Sequence, residues 1–169
     1  NITPVSIGTG KTLSGAIGVT GGSIKLTDTG TLASTVFMSG GTSLDAENTL
    51  TLSGALTQSG DITIDVLGNQ TLNYTGPPIS LGPNTLSLSG GGSFANTNSL
   101  VLDNAESKLQ LSSITVESVS TSVDSSLGIE VENDSTINSF SIANITPVSI
   151  AADKILSGSI GVTGGSIKL

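Results

Sequence analysis

Apolar and polar residues alternate along this chain in short bursts. Val5/Ile7, Ile17/Val19, Ile24/Leu26, Val36/Met38, Leu50/Leu52, Ile62/Ile64, Leu72/Tyr74, Leu86/Leu88, Leu100/Leu102, Leu109/Leu111, Ile114/Val116, Ile129/Val131 and Phe140/Ile142 are all spaced by two residues. That spacing puts both side chains of a pair on one face of a strand. Between the pairs lie turn-forming residues such as Gly21-Gly22, Gly40-Gly41, Gly68-Asn69, Pro77-Pro78 and Gly90-Gly91-Gly92. No stretch carries a helical apolar face of useful length. The pattern predicts a nearly all-β chain of short strands.

A repeat organises these bursts. Residues 1–26 (NITPVSIGTGKTLSGAIGVTGGSIKL) recur at 144–169 (NITPVSIAADKILSGSIGVTGGSIKL), identical at 21 of 26 positions, without a gap and at an offset of 143. Self-similarity on this scale marks repeat architectures. The expected division is one complete repeat unit, 1–143, and the start of the next, 144–169, continuous with the first. The chain then reads as a piece of a longer tandem array.

A shorter phrase recurs inside the unit as Asn48-Thr-Leu-Thr-Leu-Ser-Gly54, Gln70-Thr-Leu-Asn-Tyr-Thr-Gly76 and Asn84-Thr-Leu-Ser-Leu-Ser-Gly90. A polar turn residue, a strand with two inward side chains and a glycine corner would stack coil on coil as ladders. The predicted fold is all-β, a single-stranded right-handed parallel β-helix (β-solenoid) with about three short strands per coil. Thirteen pairs at that rate imply about four to five coils per unit, an axial advance of roughly 20–25 Å at ~4.8 Å per coil. A string of β-sandwiches is the competing architecture, but its thicker core is commonly anchored by large rings. This chain has one Tyr, three Phe and no Trp.

Composition narrows the function. Charged residues are 11% of the chain, yet the mean hydropathy is +0.28, too apolar for disorder. Without Cys there is neither disulfide nor thiolate metal site, and the absence of His excludes Ser–His and Cys–His nucleophiles. A net charge of −8 argues against nucleic acid as a partner, and no apolar run is long enough to insert into a membrane.

The phrases NTLTLSGAL, NTLSLSGGG and GVTGGSIKL resemble passenger regions of bacterial autotransporters and filamentous-haemagglutinin-type giant repeat adhesins. The resemblance is one of texture and implies a parallel β-helix exported to the cell surface, often adhesive. It assigns no functional residue. The functional expectation is a non-catalytic structural or adhesive segment of an extracellular bacterial filament. The alternative is a binding module for carbohydrate, Ca²⁺ or ice on a secreted solenoid.

Each candidate for chemistry has a plainer rival. Gly8-Thr-Gly-Lys-Thr12 looks like part of a phosphate-binding loop, but Val5 stands where that loop needs its first glycine. The second copy reads Ala151-Ala-Asp-Lys-Ile155, which would repel an anion, so a turn between strands is the expectation. Glu130, Glu132 and Asp134, with Asp124 nearby, could offer oxygen ligands to Ca²⁺; a solvated acidic face is the competing reading. Carboxylate pairs suit glycosidases, but the chain lacks Arg and nearly lacks aromatic platforms. A Ser–Lys pair remains formally open, although four of the five lysines belong to the duplicated phrase. Thr27/Thr29, Thr29/Thr31 and Thr49/Thr51 suggest an imperfect ice-binding ladder. Sequons at Asn1, Asn69, Asn73, Asn133 and Asn144 are what this composition yields.

Charge is also banded: residues 1–26 sum to +2, residues 27–143 to −11 and residues 144–169 to +1. The tandem repeat makes neighbouring units stacked end to end the expected partners, and the plain reading of the charge bands is that they keep a long fibre soluble. Staggered fibres could also associate laterally through unlike bands, an attraction that ~1 M salt would screen within about 3 Å.

Overall fold

The computed structural model describes all of residues 1–169, entirely as strands, turns and bends. The chain winds around a three-sided column. Its first face is a nine-stranded parallel sheet: Ile2–Val5, Ser23–Leu26, Thr42–Ala46, Ile62–Val66, Thr85–Ser89, Lys108–Leu111, Gly128–Val131, Thr146–Ile150 and Ile167–Lys168. Nine strands mark eight turns of the chain. The second face runs from Thr12–Leu13 through Thr31–Leu32, Leu50–Leu52, Thr71–Tyr74 and Ser93–Asn96 into the long strands Thr115–Thr121, Ser135–Ile142 and Leu156–Val162. The third begins with Ala16–Val19, Thr35–Met38 and Leu56–Gln58, passes Ile79–Ser80 and Leu100–Leu102, and ends on the distal halves of the same long strands. The β-solenoid with three sheets per coil is thus the architecture of the chain.

Twelve of the thirteen apolar pairs lie in strands or directly beside them; of Val5/Ile7, Ile7 falls two residues past the strand Ile2–Val5. Period-2 alternation turns one set inward, and parallel pairing stacks these residues into ladders. One inward column on the first face reads Ile24, Leu44, Ile64, Leu88, Leu111, Val131, Ile150. On the second, Leu50, Leu72, Phe94, Val116 and Ile137 stack in turn. Thirty-five buried hydrophobic residues form a single core. Because this column is narrow and close-packed, truncating a central member such as Leu72 to Ala is worth about 2–5 kcal/mol.

Two details depart from the sequence reading. Seven coils, not four to five, separate Ile2–Val5 from Thr146–Ile150, which raises the axial advance per unit to about 34 Å. The pair count falls short because strands such as Thr31–Leu32 and Leu56–Gln58 bury one large residue each and carry no apolar pair. In addition, the first two T-L-x-L phrases stack, with Leu50 under Leu72 and Leu52 under Tyr74, whereas the third lies on the first face beneath Leu109 and Leu111. An inward pair with polar flanks fits either face.

The coils are not uniform. Between Ser93–Asn96 and Leu100–Leu102 the chain turns a corner, but the next coil crosses it as one strand. Ser93 pairs with Thr115 and Leu100 with Val119, so three residues are missing. The buried Asn96 side chain fills the gap. Its Oδ1 accepts from the Glu117 and Ser118 amides at 3.1 and 3.2 Å, and its Nδ2 donates to the Asn98 and Ser118 carbonyls at 2.8 and 2.6 Å. One coil further on, Ile137 pairs with Gly158 and Phe140 with Ile160, which removes one residue more.

Candidate functional site: the seam between repeats

The duplicated phrase places the most informative site. Residues 144–169 form a coil on top of the coil Gly128–Ile142. Ile129, Glu130 and Val131 pair with Val148, Ser149 and Ile150 on the first face. On the other faces Ser135 pairs with Leu156, Phe140 with Ile160 and Ile142 with Val162. The internal register of the phrase is kept: Thr146 pairs with Ile167 as Thr3 does with Ile24, and Pro147 with Lys168 as Pro4 does with Lys25.

Acidic side chains close this seam. Asp124 Oδ1 accepts the Ile145 amide at 2.8 Å, and Asp134 Oδ1 accepts that of Ile155 at 3.0 Å. A carboxylate is a strong acceptor for a backbone N–H, so each holds the entry to a strand of the next coil. Gly128 (φ 67°) lies so close that an added Cβ would stand 2.1 Å from the Pro147 carbonyl oxygen. Only glycine fits, since the left-handed backbone and the close approach both exclude a side chain. The sequence signalled the acids but not their task, because a backbone amide donor leaves no mark on composition.

The proposed Ca²⁺ ligands are divided by this arrangement. Glu130 is held by Lys108 at 2.6 Å, and Gln110 Nε2 donates to both Glu130 and Glu132, at 3.0 and 2.7 Å. The Lys108 ammonium, foremost as a hydrogen-bond donor, lowers the Glu130 carboxyl below its ordinary value. Asp134 is turned to the next coil. Nowhere do three or more acidic side chains gather in a metal-binding geometry.

The other candidates find plain places. Gly8–Thr12 is a turn closed by the Lys11 amide on the Gly8 carbonyl at 2.8 Å, and Lys154 on Ala151 repeats it at 3.1 Å. Gly10 has φ 71° and its counterpart Asp153 has φ 60°, so the turn survives the loss of both glycines. Tyr74, Phe94 and Phe140 are core residues, not platforms; the Tyr74 and Phe94 rings stack at 5.9 Å. The Tyr74 hydroxyl donates to the Pro77 carbonyl at 2.7 Å and accepts the Leu56 amide at 3.3 Å. Burial raises its pKa above the ordinary phenol value. Phe37 alone of the aromatics is exposed, above Gly18 on the third face. The threonine column runs Thr12, Thr31, Thr51 and then ends in Asn73 and Ala95. The sequon amides of Asn73 and Asn133 donate to Leu50 and Ser112 across coils. Lys25 is bound to Glu47 at 2.6 Å, so part of the cationic band is neutralised within the column.

No protein-family model, curated protein or solved structure matches the chain. No helix is long and apolar enough to cross a membrane.

Proposed function

We propose that this chain is a non-catalytic segment of a long extracellular fibre on a bacterial cell, structural or adhesive, built from the 143-residue unit in tandem. The observation that carries this reading is the seam: the opening phrase of the unit, met a second time, stacks on the preceding coil and prolongs the same apolar column. A solenoid whose units join this way grows by addition of coils, exposes strand edges only at its ends and gains reach with each unit. The texture shared with autotransporter passengers and filamentous-haemagglutinin-type adhesins supports the same assignment, as does a charge-poor, Ser/Thr/Gly-rich surface. Electron microscopy of a chain of consecutive units tests it. A uniform rod with an axial period of about 34 Å is expected; beads joined by thin links would overturn it.

One observation favours the alternative, a carbohydrate-binding module. Phe37 stands beside Gly18 and Thr57 in a shallow recess of about 330 Å³ on the third face. An exposed ring over a glycine is a surface on which a sugar ring can stack. Glycan titration followed by amide NMR, with Phe37→Ala as control, separates the two readings.

A further inference from the structure

We infer that the side of residues 1–26 facing away from the rest of the solenoid is a docking surface for the coil Gly128–Ile142 of another copy of this unit. This deepens the fibre reading and rests on it. The surface is a parallel-sheet edge with an apolar recess of about 500 Å³, lined by Thr3, Val5, Leu13, Ile17, Val19 and Ile24. Leu13 is 39% exposed there.

The chain itself shows what covers such a surface. Residues 144–169 present the same face to Gly128–Ile142 and are seated on it. Carrying those pairs across the 143-residue offset puts Ile129 against Val5, Glu130 against Ser6, Val131 against Ile7, Phe140 against Ile17 and Ile142 against Val19. Asp124 would then take the Ile2 amide, and Asp134 that of Thr12. The five differences between the copies, Gly8/Ala151, Thr9/Ala152, Gly10/Asp153, Thr12/Ile155 and Ala16/Ser159, all fall on the turn or the outward side. No inward residue of the phrase changes.

In the intact chain this coil is already covered by the chain's own residues 144–169. Freeing it should therefore turn a monomer into a head-to-tail series, a heterologous contact that does not close on itself. The test uses the full chain carrying Val148→Asp and Ile160→Asp, which unseat the terminal coil and leave residues 1–26 native. Sedimentation velocity should show the wild type as a single small species and the double variant with at least twice its weight-average mass. Adding Val5→Asp and Ile17→Asp should restore the monomer. The chain has no cysteine of its own, so register can be read by Ser6→Cys on one chain and Glu130→Cys on the double variant. Paired strand positions are close enough to form a disulfide between the two. A double variant that keeps its β circular dichroism but stays monomeric overturns the inference, as does association indifferent to Val5→Asp and Ile17→Asp. Should the aspartates unfold the body, Val148→Ser with Ile160→Ser takes their place. Either failure leaves a non-polymerising rod standing, whereas beads in electron micrographs would remove the rod itself.

Discussion

Val5 and Val148, equivalent residues of the two copies, both point inward from the first face seven coils apart, yet they do not share a column. The ladder that starts at Thr3 passes through Ile24, Leu44, Ile64, Leu88, Leu111 and Val131 to Ile150, four residues beyond Thr146. The shortened corners, beside Asn96 and between Ile137 and Phe140, limit that slip by bringing the last two steps of the ladder down to 20 residues (Leu111 to Val131) and 19 (Val131 to Ile150). Each unit therefore returns to its face while its strands slide along it.

Asn96 should be the most costly polar side chain to replace. Asn96→Leu strands two amides and two carbonyls of the corner, and an unsatisfied buried group costs about 1–3 kcal/mol. A loss of about 2–4 kcal/mol in urea unfolding is expected; a loss under about 0.5 kcal/mol would show that the corner does not need it.

Gln58 points the other way. Its Nε2 donates to the Leu81 carbonyl at 2.9 Å, but its Oε1 is buried without a partner, one coil above Met38. Asn84 also donates to that carbonyl, so it stays satisfied without Gln58. Gln58→Met should raise stability by about 1 kcal/mol, read as a higher urea midpoint with an unchanged slope.

Asp153 occupies the left-handed site that Gly10 holds in the first copy. Asp153→Gly should stabilise the terminal coil by roughly 0.5–1 kcal/mol, and Gly10→Ala should weaken its own coil by a similar amount. Because both coils are terminal, slower hydrogen exchange at Lys154 and faster exchange at Lys11 are the sensitive readouts.

Tyr74, the sole tyrosine, makes the alkaline limb legible. Its folded pKa lies above the unfolded value near 10.0. The neutral phenol therefore contributes stability that is complete below pH 10 and lost as pH rises through the folded pKa. Ionisation seen at 295 nm should lag behind that of denatured protein and coincide with unfolding. Titration at the free-phenol pKa in folded protein would mean that the ring is not buried.

Asp134→Ala should act at the seam alone. Removing the acceptor of the Ile155 amide is worth about 1 kcal/mol or less at an exposed site. Exchange should quicken at Ile155 and its neighbours while the amide of Leu72 stays protected. Asp134→Asn, which keeps an acceptor oxygen, should behave as the wild type.

The sequence by itself determined the strands, the inward face of each and the repeat, because period-2 alternation and duplication are local or textual properties. It also determined that Gly8–Thr12 is no anion cradle, since the second copy shows what that turn can lose. It could not number the coils, because a two-residue strand such as Thr31–Leu32 carries no alternation. Alternation did put Tyr74 inward with Leu72 and Phe37 outward between Val36 and Met38, as the structure has them. What only the tertiary structure decided is register: which residue lies over which is fixed by corner lengths and by side chains such as Asn96 that bridge coils about twenty residues apart. For the same reason Glu130, Glu132 and Asp134, neighbours in the chain, part company, two to the surface network of Lys108 and Gln110 and one to the backbone of the next coil. Hydrophobic burial selects the face, but backbone hydrogen bonds between coils select the partner, and those are invisible until the chain has wound.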